Sequence, residues 1–404
     1  MKDACTILIC GDLCPTPDTE AAFTSGDAAW LFHGLLPHLR RADLVMGNLE
    51  APLLDAGTAI VKTGPSRRAA TACLQTLHQA GFDLLAMANN HIRDFGDEGV
   101  IATLAACRQV GIATVGAGQN AAQANSPALL TVVGWRIAVL AYAEHEFNTA
   151  ADSQAGANAL DLLDSFDEIR SVRAQCDYLI VLYHGGIEHY PFPSPLLQRK
   201  CRKMAACGAD LVLCQHSHCV GTLEEYDGST ILYGQGNTVF GYRQNAPEWN
   251  TGLLVKVDLG AHEPKGKITY LPIQAVASGV DLLPPSDAEQ FLALFHRRSL
   301  GVRNPEFVAS SWKAFCERKR AVLLPILLGR GRLFKFANRR LRNALVNRLY
   351  AKKSLRIIGN LIRCEAHHEV VQTLLNGDVP VAQLPAANDI SRSVPTSPPA
   401  SDSR

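Results

Sequence analysis

Five segments of the chain end an apolar run on side chains able to hold a metal ion or move a proton. They are Thr6-Ile-Leu-Ile-Cys-Gly-Asp12, Asp43-Leu-Val-Met-Gly-Asn-Leu-Glu50, Asp83-Leu-Leu-Ala-Met-Ala-Asn-Asn90-His91, Asp177-Tyr-Leu-Ile-Val-Leu-Tyr-His184 and Asp210-Leu-Val-Leu-Cys-Gln-His216-Ser-His218. His216-Ser-His218 is the sharpest local signal, because alternate residues leaving a strand present two imidazoles to one metal or to adjacent metals. An H-x-H pair is common by chance in a chain with 13 histidines. Its weight comes from convergence: two carboxylates (Asp12, Glu50), a neutral amide oxygen (Asn90) and three imidazoles (His184, His216, His218) all fall at the ends of predicted strands. Mixed N/O ligation of this kind suits Zn, Mn or Fe, and a bridging carboxylate can serve two ions.

Four of the five segments open on Asp, and the candidate ligand follows seven residues later, or six for His216. Each also follows a helix-like segment, so the pattern reads as αβ repeats whose strands are apolar throughout because both faces are buried. Ligands of such sheets bind beyond the carboxyl ends of the strands. The loop Gly185-Gly-Ile-Glu188-His189 follows His184, and its glycines let the backbone pass close to a bound group. Lys62, in the loop 51–66, reads as an ordinary solvated lysine, with contact to an anionic substrate as the alternative. Gly116-Ala-Gly118 is a structural turn, since the acidic residue a dinucleotide fingerprint needs about 20 positions on is missing. Segments 229–233, 252–259 and 267–273 predict an antiparallel flank to a second sheet. From about 286 to 376 the pattern is helical, and the Ser-, Pro- and Ala-rich 386–404 predicts a disordered tail. The expected division is therefore a domain over 1–280, a basic helical extension over 285–376 and the tail.

A chain of 404 residues with 47% hydrophobic residues supports one large α/β domain with an appendage. The amino terminus lacks the features of a signal peptide, and no run approaches the roughly 20 apolar residues of a spanning helix, so a cytoplasmic protein is expected. The twelve cysteines include no C-x-x-C pair and predict reduced, buried thiols. The net charge of +1 hides an asymmetry: residues 318–363 hold 14 Lys and Arg with no Asp or Glu, leaving 25 basic against 38 acidic residues elsewhere. The appendage is thus the expected place for an anionic partner.

Gly11-Asp12, Gly47-Asn-Leu-Glu50, Ala88-Asn-Asn-His91-x-x-Asp94-x-Gly96, His184-x-Gly-x-Glu188, His216-x-His218 and Tyr233-x-x-Gly-Asn237 together resemble the CapA family of capsule-synthesis (poly-γ-glutamate) proteins, related to the calcineurin-like metallophosphoesterases. The resemblance covers roughly residues 5–275. It implies a four-layer α/β/β/α sandwich of metallophosphoesterase type, here with a C-terminal helical extension, and a two-metal site at one edge of the sheets. Asp12 and His218 would hold the first ion, Asn90, His184 and His216 the second, and Glu50 would occupy the bridging place. His91 corresponds to the general acid, with Asp94 placed to orient it and Glu188 as a further catalytic candidate. Two departures stand out. Glu replaces the bridging Asp, and Asp12-Leu-Cys14 puts a thiol, either a soft ligand or a plain buried group, where the phosphoesterases carry His.

The resemblance implies a metal-dependent, hydrolase-like enzyme of capsule or cell-surface polymer biosynthesis acting on an anionic polymer or peptide. A peptide-tailoring enzyme such as an epimerase, or a non-catalytic capsule-assembly scaffold, are the alternatives, with other capsule-synthesis proteins as partners. For the basic extension the leading expectation is a helical cap on the acidic domain. Peripheral attachment to an anionic inner membrane face through 318–363 is the alternative. Nucleic acid is not expected, because no aromatic-interleaved basic surface is present.

Overall fold

The computed structural model describes residues 3–327, 331–350, 352–364, 366–368 and 370–371. The expected tail over 386–404, and the end of the helical stretch beyond 371, lie outside the described residues. The chain first lays down four parallel strands, β1 (Cys5–Leu13), β2 (Leu44–Leu49), β3 (Leu84–Ala86) and β4 (Ala113–Val115), in that spatial order. It leaves this sheet through the short β5 (Ala117–Gly118), builds β6 (Ala128–Val132) and β7 (Trp135–Ala143), and pairs β8 (Gly156–Ala157) back on β5. A second sheet then grows through β9 (Tyr178–His184), β10 (Leu211–Gln215), β11 (Leu223–Tyr226) and β12 (Ser229–Leu232), with the order β11-β12-β10-β9-β7-β6. Finally β13 (Asn237–Val239) pairs with the end of β1, and β14 (Thr251–Gly260), β15 (Glu263–Val276) and β16 (Gly279–Leu282) extend the first sheet.

That last arrangement corrects the expected placement of the antiparallel flank. The hairpin β14–β15 joins β1 of the first sheet, with Cys5 opposite Leu259, while β12 is an internal strand of the second sheet, parallel to β10. Without β14, the almost wholly buried β1 would be left as an open edge, and capping such an edge is a strong constraint on where a late hairpin goes. The Gly116 turn is structural: at φ 83° it allows an approach in which any Cβ would stand 2.7 Å from the Cβ atoms of Ala88 and Ala141.

Alternation along the second sheet shows how the layers stack. Ile137, Val139 and Ala141 of β7, Ile180 and Leu182 of β9, and Leu211 and Leu213 of β10 join the core shared with the first sheet. Their neighbours Ala138, Leu140, Tyr142, Leu179, Val181, Tyr183, Val212 and Cys214 join a separate core with Ile169 and Val172 of the helix Ser165–Arg173 and Cys201 and Met204 of the helix Pro195–Ala206. The first sheet is covered on its other side by the helices Ala28–Phe32, Cys73–Ala80 and Gly96–Val110. The result is the four-layer α/β/β/α sandwich, in which period-2 side chains serve two different interiors. All twelve cysteines are free thiols, ten of them buried.

The Asp that opens each repeat has a structural task. Asp43, Asp83, Asp177 and Asp210 each accept, through Oδ2, the backbone N–H of Thr6, Val45, Arg136 or Leu179 at the start of the preceding strand, at 2.8–2.9 Å. Each also donates its own N–H to the carbonyl of that residue. The carboxylate thus closes the ladder at the amino edge. A strand advances about 3.3 Å per residue, so the residue seven positions on emerges at the opposite edge.

The chain divides after Phe315 into two compact units, so the helix Pro285–Ser299 and the first half of the helix Pro305–Leu327 belong to the first. The second contains the helices Arg332–Arg340, Ala344–Leu349 and Lys352–Arg363. In it Val346 and Tyr350 are buried, while Leu333, Phe336, Ile357 and Ile362 are more than half exposed. Among the described residues no helix is long and apolar enough to cross a membrane.

Replacing Asp83 by Ala removes an acceptor from Val45 N–H at a position away from the ligands. The expected outcome is a loss of about 1–2 kcal/mol in urea unfolding with the bound metal per chain unchanged.

Candidate metal centre

The carboxyl edges of both sheets meet in one buried cluster. Asp12 lies near the end of β1, Glu50 one residue past β2, Asn90 and His91 in the turn after β3, His184 at the end of β9, and His216 and His218 just past β10. Glu50, His184 and His216 offer ligand atoms within 4.8 Å of one another, as do Asp12, Glu50 and His218, and Glu50 is common to both groups. Asn90, partly exposed, brings Oδ1 to 3.1 Å from His184 Nε2. The residues proposed from sequence for two ions and a bridging carboxylate are thus gathered in one place.

Glu50 is fully buried, and neither of its carboxylate oxygens has a hydrogen-bond partner. Its Oε1 stands 3.8 Å from His184 Nε2 and 3.9 Å from His218 Nε2. Those distances are too long for hydrogen bonds, yet two donors each about 2.0–2.2 Å from one ion stand about 3–4 Å apart. His216 Nδ1 is likewise buried without a partner. Burial pushes the Glu50 carboxyl well above its usual range, and the neighbouring Asp12 charge adds to the effect. Burial also raises Asp12, to about 6, against the hydrogen bonds it accepts. The imidazoles move the other way: burial lowers His184 well below its ordinary value, helped by His216 and His218, and brings His218 down to about 3. Such carboxylates resist ionising while such imidazoles resist protonation, so proton transfer among them satisfies neither. A divalent cation satisfies both, since it stabilises carboxylate charge and takes neutral imidazole lone pairs.

Strand register supplies the supports. Asp12 is paired across the sheet with Asn48 of β2 on one side and Asn237 of β13 on the other. The Asn48 amide donates to Asp12 Oδ1 at 2.7 Å and lies 3.2 Å from His184 Nδ1. Asn237 Oδ1 is 2.9 Å from His218 Nδ1 and its amide donates to the Trp249 carbonyl, an outer contact that fixes the ring and leaves Nε2 toward Glu50. Asn89 shapes the turn after β3. Its carbonyl oxygen accepts the N–H groups of His91 and Ile92, and its amide donates to Asn48 Oδ1 and the Leu49 carbonyl. His216 (φ 81°) and His218 (φ 50°) adopt left-handed backbone, a local cost of about 1–3 kcal/mol each that a functional site commonly carries.

His91 turns Nδ1 to Asp94 Oδ2 at 2.6 Å and Nε2 toward Glu50 Oε1 at 4.0 Å. Asp94 is itself held by the Arg67 N–H at 2.7 Å and by an ion pair with Lys62. This corrects the reading of Lys62 as a solvated lysine: its side chain is only 5% exposed, and Nζ lies 3.4 Å from His91 Nδ1. Burial lowers the His91 pKa, while Asp94 opposes the shift and the Lys62 and Arg67 charges add to it. Glu188 stands apart at the rim, half exposed, with its carboxylate 3.8 Å from His189. Cys14 packs with Ala51, Phe240 and Trp249 and its thiol donates to the Pro15 carbonyl at 3.7 Å, the environment of a buried thiol. Sequence reasoning gave Asn48, Asn89 and Asn237 no role, although all three lie inside the motifs quoted for the resemblance.

Comparison with known proteins shows the family of the chain. The family model described as bacterial capsule synthesis protein PGA_cap matches residues 6–242. The chain is 26% identical over 244 residues to the capsule biosynthesis protein CapA of Bacillus anthracis, covering 58% of this chain and 59% of that protein. It is 26% identical over 234 residues to the PGA biosynthesis protein CapA of Bacillus subtilis (strain 168), covering 57% and 62%. Among solved structures it is similar to a 5'-nucleotidase precursor from Thermus thermophilus, with a TM-score of 0.38 and 14% identity, covering 79% of this chain and 60% of that one. The chain therefore spans about three fifths of the length of these curated relatives.

Glu50→Gln separates metal binding from folding. Elemental analysis of protein incubated with Mn, Fe or Zn should show occupancy falling severalfold. In EDTA the variant should melt at or above the wild-type temperature, because a buried carboxylate that lacks partners has been neutralised.

Proposed function

Because the chain belongs to the bacterial capsule synthesis protein family, we propose that it is a metal-dependent hydrolase of capsule or cell-surface polymer biosynthesis, acting on an anionic polymer or peptide. The observation that carries this reading is Glu50, buried without partners among Asp12, His184, His216 and His218 and facing an imidazole that is not itself in either ligand group. Asp12, Glu50, Asn90, His184, His216 and His218 would hold one or two ions of Mn, Fe or Zn. When bound, such ions supply Lewis-acid polarisation of a carbonyl or phosphoryl oxygen and an activated water.

The chain's own residues do the rest. Asp94 holds His91 Nδ1, which commits the ring's other nitrogen, Nε2, to the reacting side. Lys62 and the Arg67 N–H fix Asp94 in turn, so the imidazole is aligned without rotating at the moment of proton transfer. Burial lowers the His91 pKa, which favours the neutral ring; its Nε2 would take the proton released by the attacking water and return it to the leaving group. The same neutral Nε2 favours a second reading, abstraction of a proton next to a polarised carbonyl, as in peptide epimerisation.

Metal-loaded protein assayed with bis(4-nitrophenyl) phosphate and a γ-glutamyl peptide tests the proposal. Turnover should be lost on chelation and restored by Mn, Fe or Zn. His91→Gln should keep its metal and lose roughly 10²-fold in rate, with Asp94→Asn acting in the same direction but less severely. Deuterium uptake from solvent without cleavage would favour epimerisation, and fully metallated protein inert to both substrates would sink the enzyme reading.

In this proposal the enzyme works at the cytoplasmic membrane face, in company with other capsule-synthesis proteins, and the basic extension attaches it there. What supports attachment is the combination of 14 basic residues over 318–363 with exposed Leu333, Phe336, Ile357 and Ile362. Each basic residue near an anionic surface contributes about 1 kcal/mol, and exposed apolar side chains add burial in the interface. Cosedimentation with anionic liposomes should be strong at low salt, weak at high salt, and absent after truncation at residue 315. Equal binding to neutral liposomes would exclude the electrostatic attachment.

A further inference from the structure

The side chains of two arginines next to the centre have no task in the chemistry described above. The Arg67 guanidinium carbon lies 4.7 Å above the Phe240 ring, and that of Arg243 lies over the Trp249 ring. The two rings meet edge to face at 5.1 Å, and both pack on His218, at 4.8 and 4.6 Å between centroids. Two positive groups are therefore carried on adjoining aromatic faces beside a candidate metal ligand. Arg67 Nε is buried and has no hydrogen-bond partner, while the side chain also reaches the Cys14 thiol. Among the described residues, neither guanidinium has a carboxylate within ion-pair distance. Glu188, whose charge reaches Arg243, has its carboxylate 3.8 Å from His189.

The two charges act on each other and on the centre. Burial, and then the Arg67 charge, lower the Arg243 pKa, and the Arg67 charge also reaches Glu50, His91 and His218. Holding like charges together on a partly desolvated wall is unfavourable unless an anion completes the arrangement. Guanidinium groups braced on aromatic faces keep their planar donor forks free for that anion.

We propose that Arg67 and Arg243 form an oxyanion clamp beside the metal centre, which holds a carboxylate or phosphate group of the substrate while the scissile group lies over the metal ligands. The clamp rests on the hydrolase reading of this centre and narrows its substrate to a molecule with an acidic group next to the bond attacked. Arg67 links the two functions, since its backbone N–H holds Asp94 while its side chain faces the anion.

Calorimetric titration of the metal-loaded full chain with inorganic phosphate and, separately, with tri-γ-glutamate tests the clamp. Arg67→Gln and Arg243→Gln should each weaken the bound anion about 10-fold, and the double variant more, with metal content unchanged by elemental analysis. The arm that shows the arginine-dependent loss identifies the source of the oxyanion, phosphate or carboxylate. Arg67→Lys and Arg243→Lys preserve charge without the fork and should lose part of the affinity; they carry the test if the Gln variants fold poorly. The clamp is overturned if wild-type protein holding its metal binds neither anion, or if a fully metallated double variant binds both as tightly as wild type. Arginine-dependent binding of tri-γ-glutamate by a chain that turns nothing over would leave the clamp standing and remove the hydrolase reading.

Discussion

Everything near the centre follows from one carboxylate. Glu50 is carried one residue past the end of a fully buried strand into a space where no N–H or O–H reaches it. A lone buried carboxylate is costly, and the imidazoles around it cannot relieve that cost by protonation because the same burial lowers their pKa values. The sandwich thus builds a cavity in which the ionised form of Glu50 would be stabilised by a cation rather than by its imidazole neighbours. The asparagines Asn48, Asn89 and Asn237 complete the arrangement by fixing the groups around that position without adding charge of their own.

The donors come from both sheets, Asp12, Glu50 and Asn90 from the first, His184, His216 and His218 from the second. An ion held between them would tie together two layers whose shared core is apolar and whose polar contacts, such as Asn48 to His184 and the His216 N–H to Asp12, gather at this edge. It acts as a rivet through the interior, and amide protons on the facing strands of both sheets are the ones whose exchange it would slow. The Asp residues at the amino edges perform the complementary task at the far end of the strands, where they hold neighbouring backbones in register.

The clustering of the candidate ligands was legible in the sequence because an apolar run buried on both faces has to stop at a sheet edge, which carries the side chains that follow it to one place. The four-layer architecture followed from the motif series. Lys62 was not legible: the loop 51–66 folds back so that Ile60 N–H bonds to the Asp94 carbonyl, and no local pattern announces that return. Asn48 and Asn237 stood in plain view, but their roles depend on both lying opposite Asp12 across neighbouring strands, a register that single-strand periodicity does not encode. For the same reason periodicity does not separate β12, inside the second sheet, from β14 and β15, which extend the first. Alternation says that a strand has one buried face and is silent about which edge it will cover.

The position of β1 between β2 and β14 bears on how the protein is made. Its first edge is covered once β2 has been synthesised, but its second waits for a partner strand in which Leu259 sits opposite Cys5. While the chain leaves the ribosome, an apolar strand next to Asp12 keeps a row of unpaired backbone groups through most of translation. The ligands assemble on the same schedule, since His216, His218 and the supporting Asn237 emerge late. The candidate ligand set is complete only after His218 has been made, a little over halfway along the chain, so a metal could not be held by all of these residues before that point.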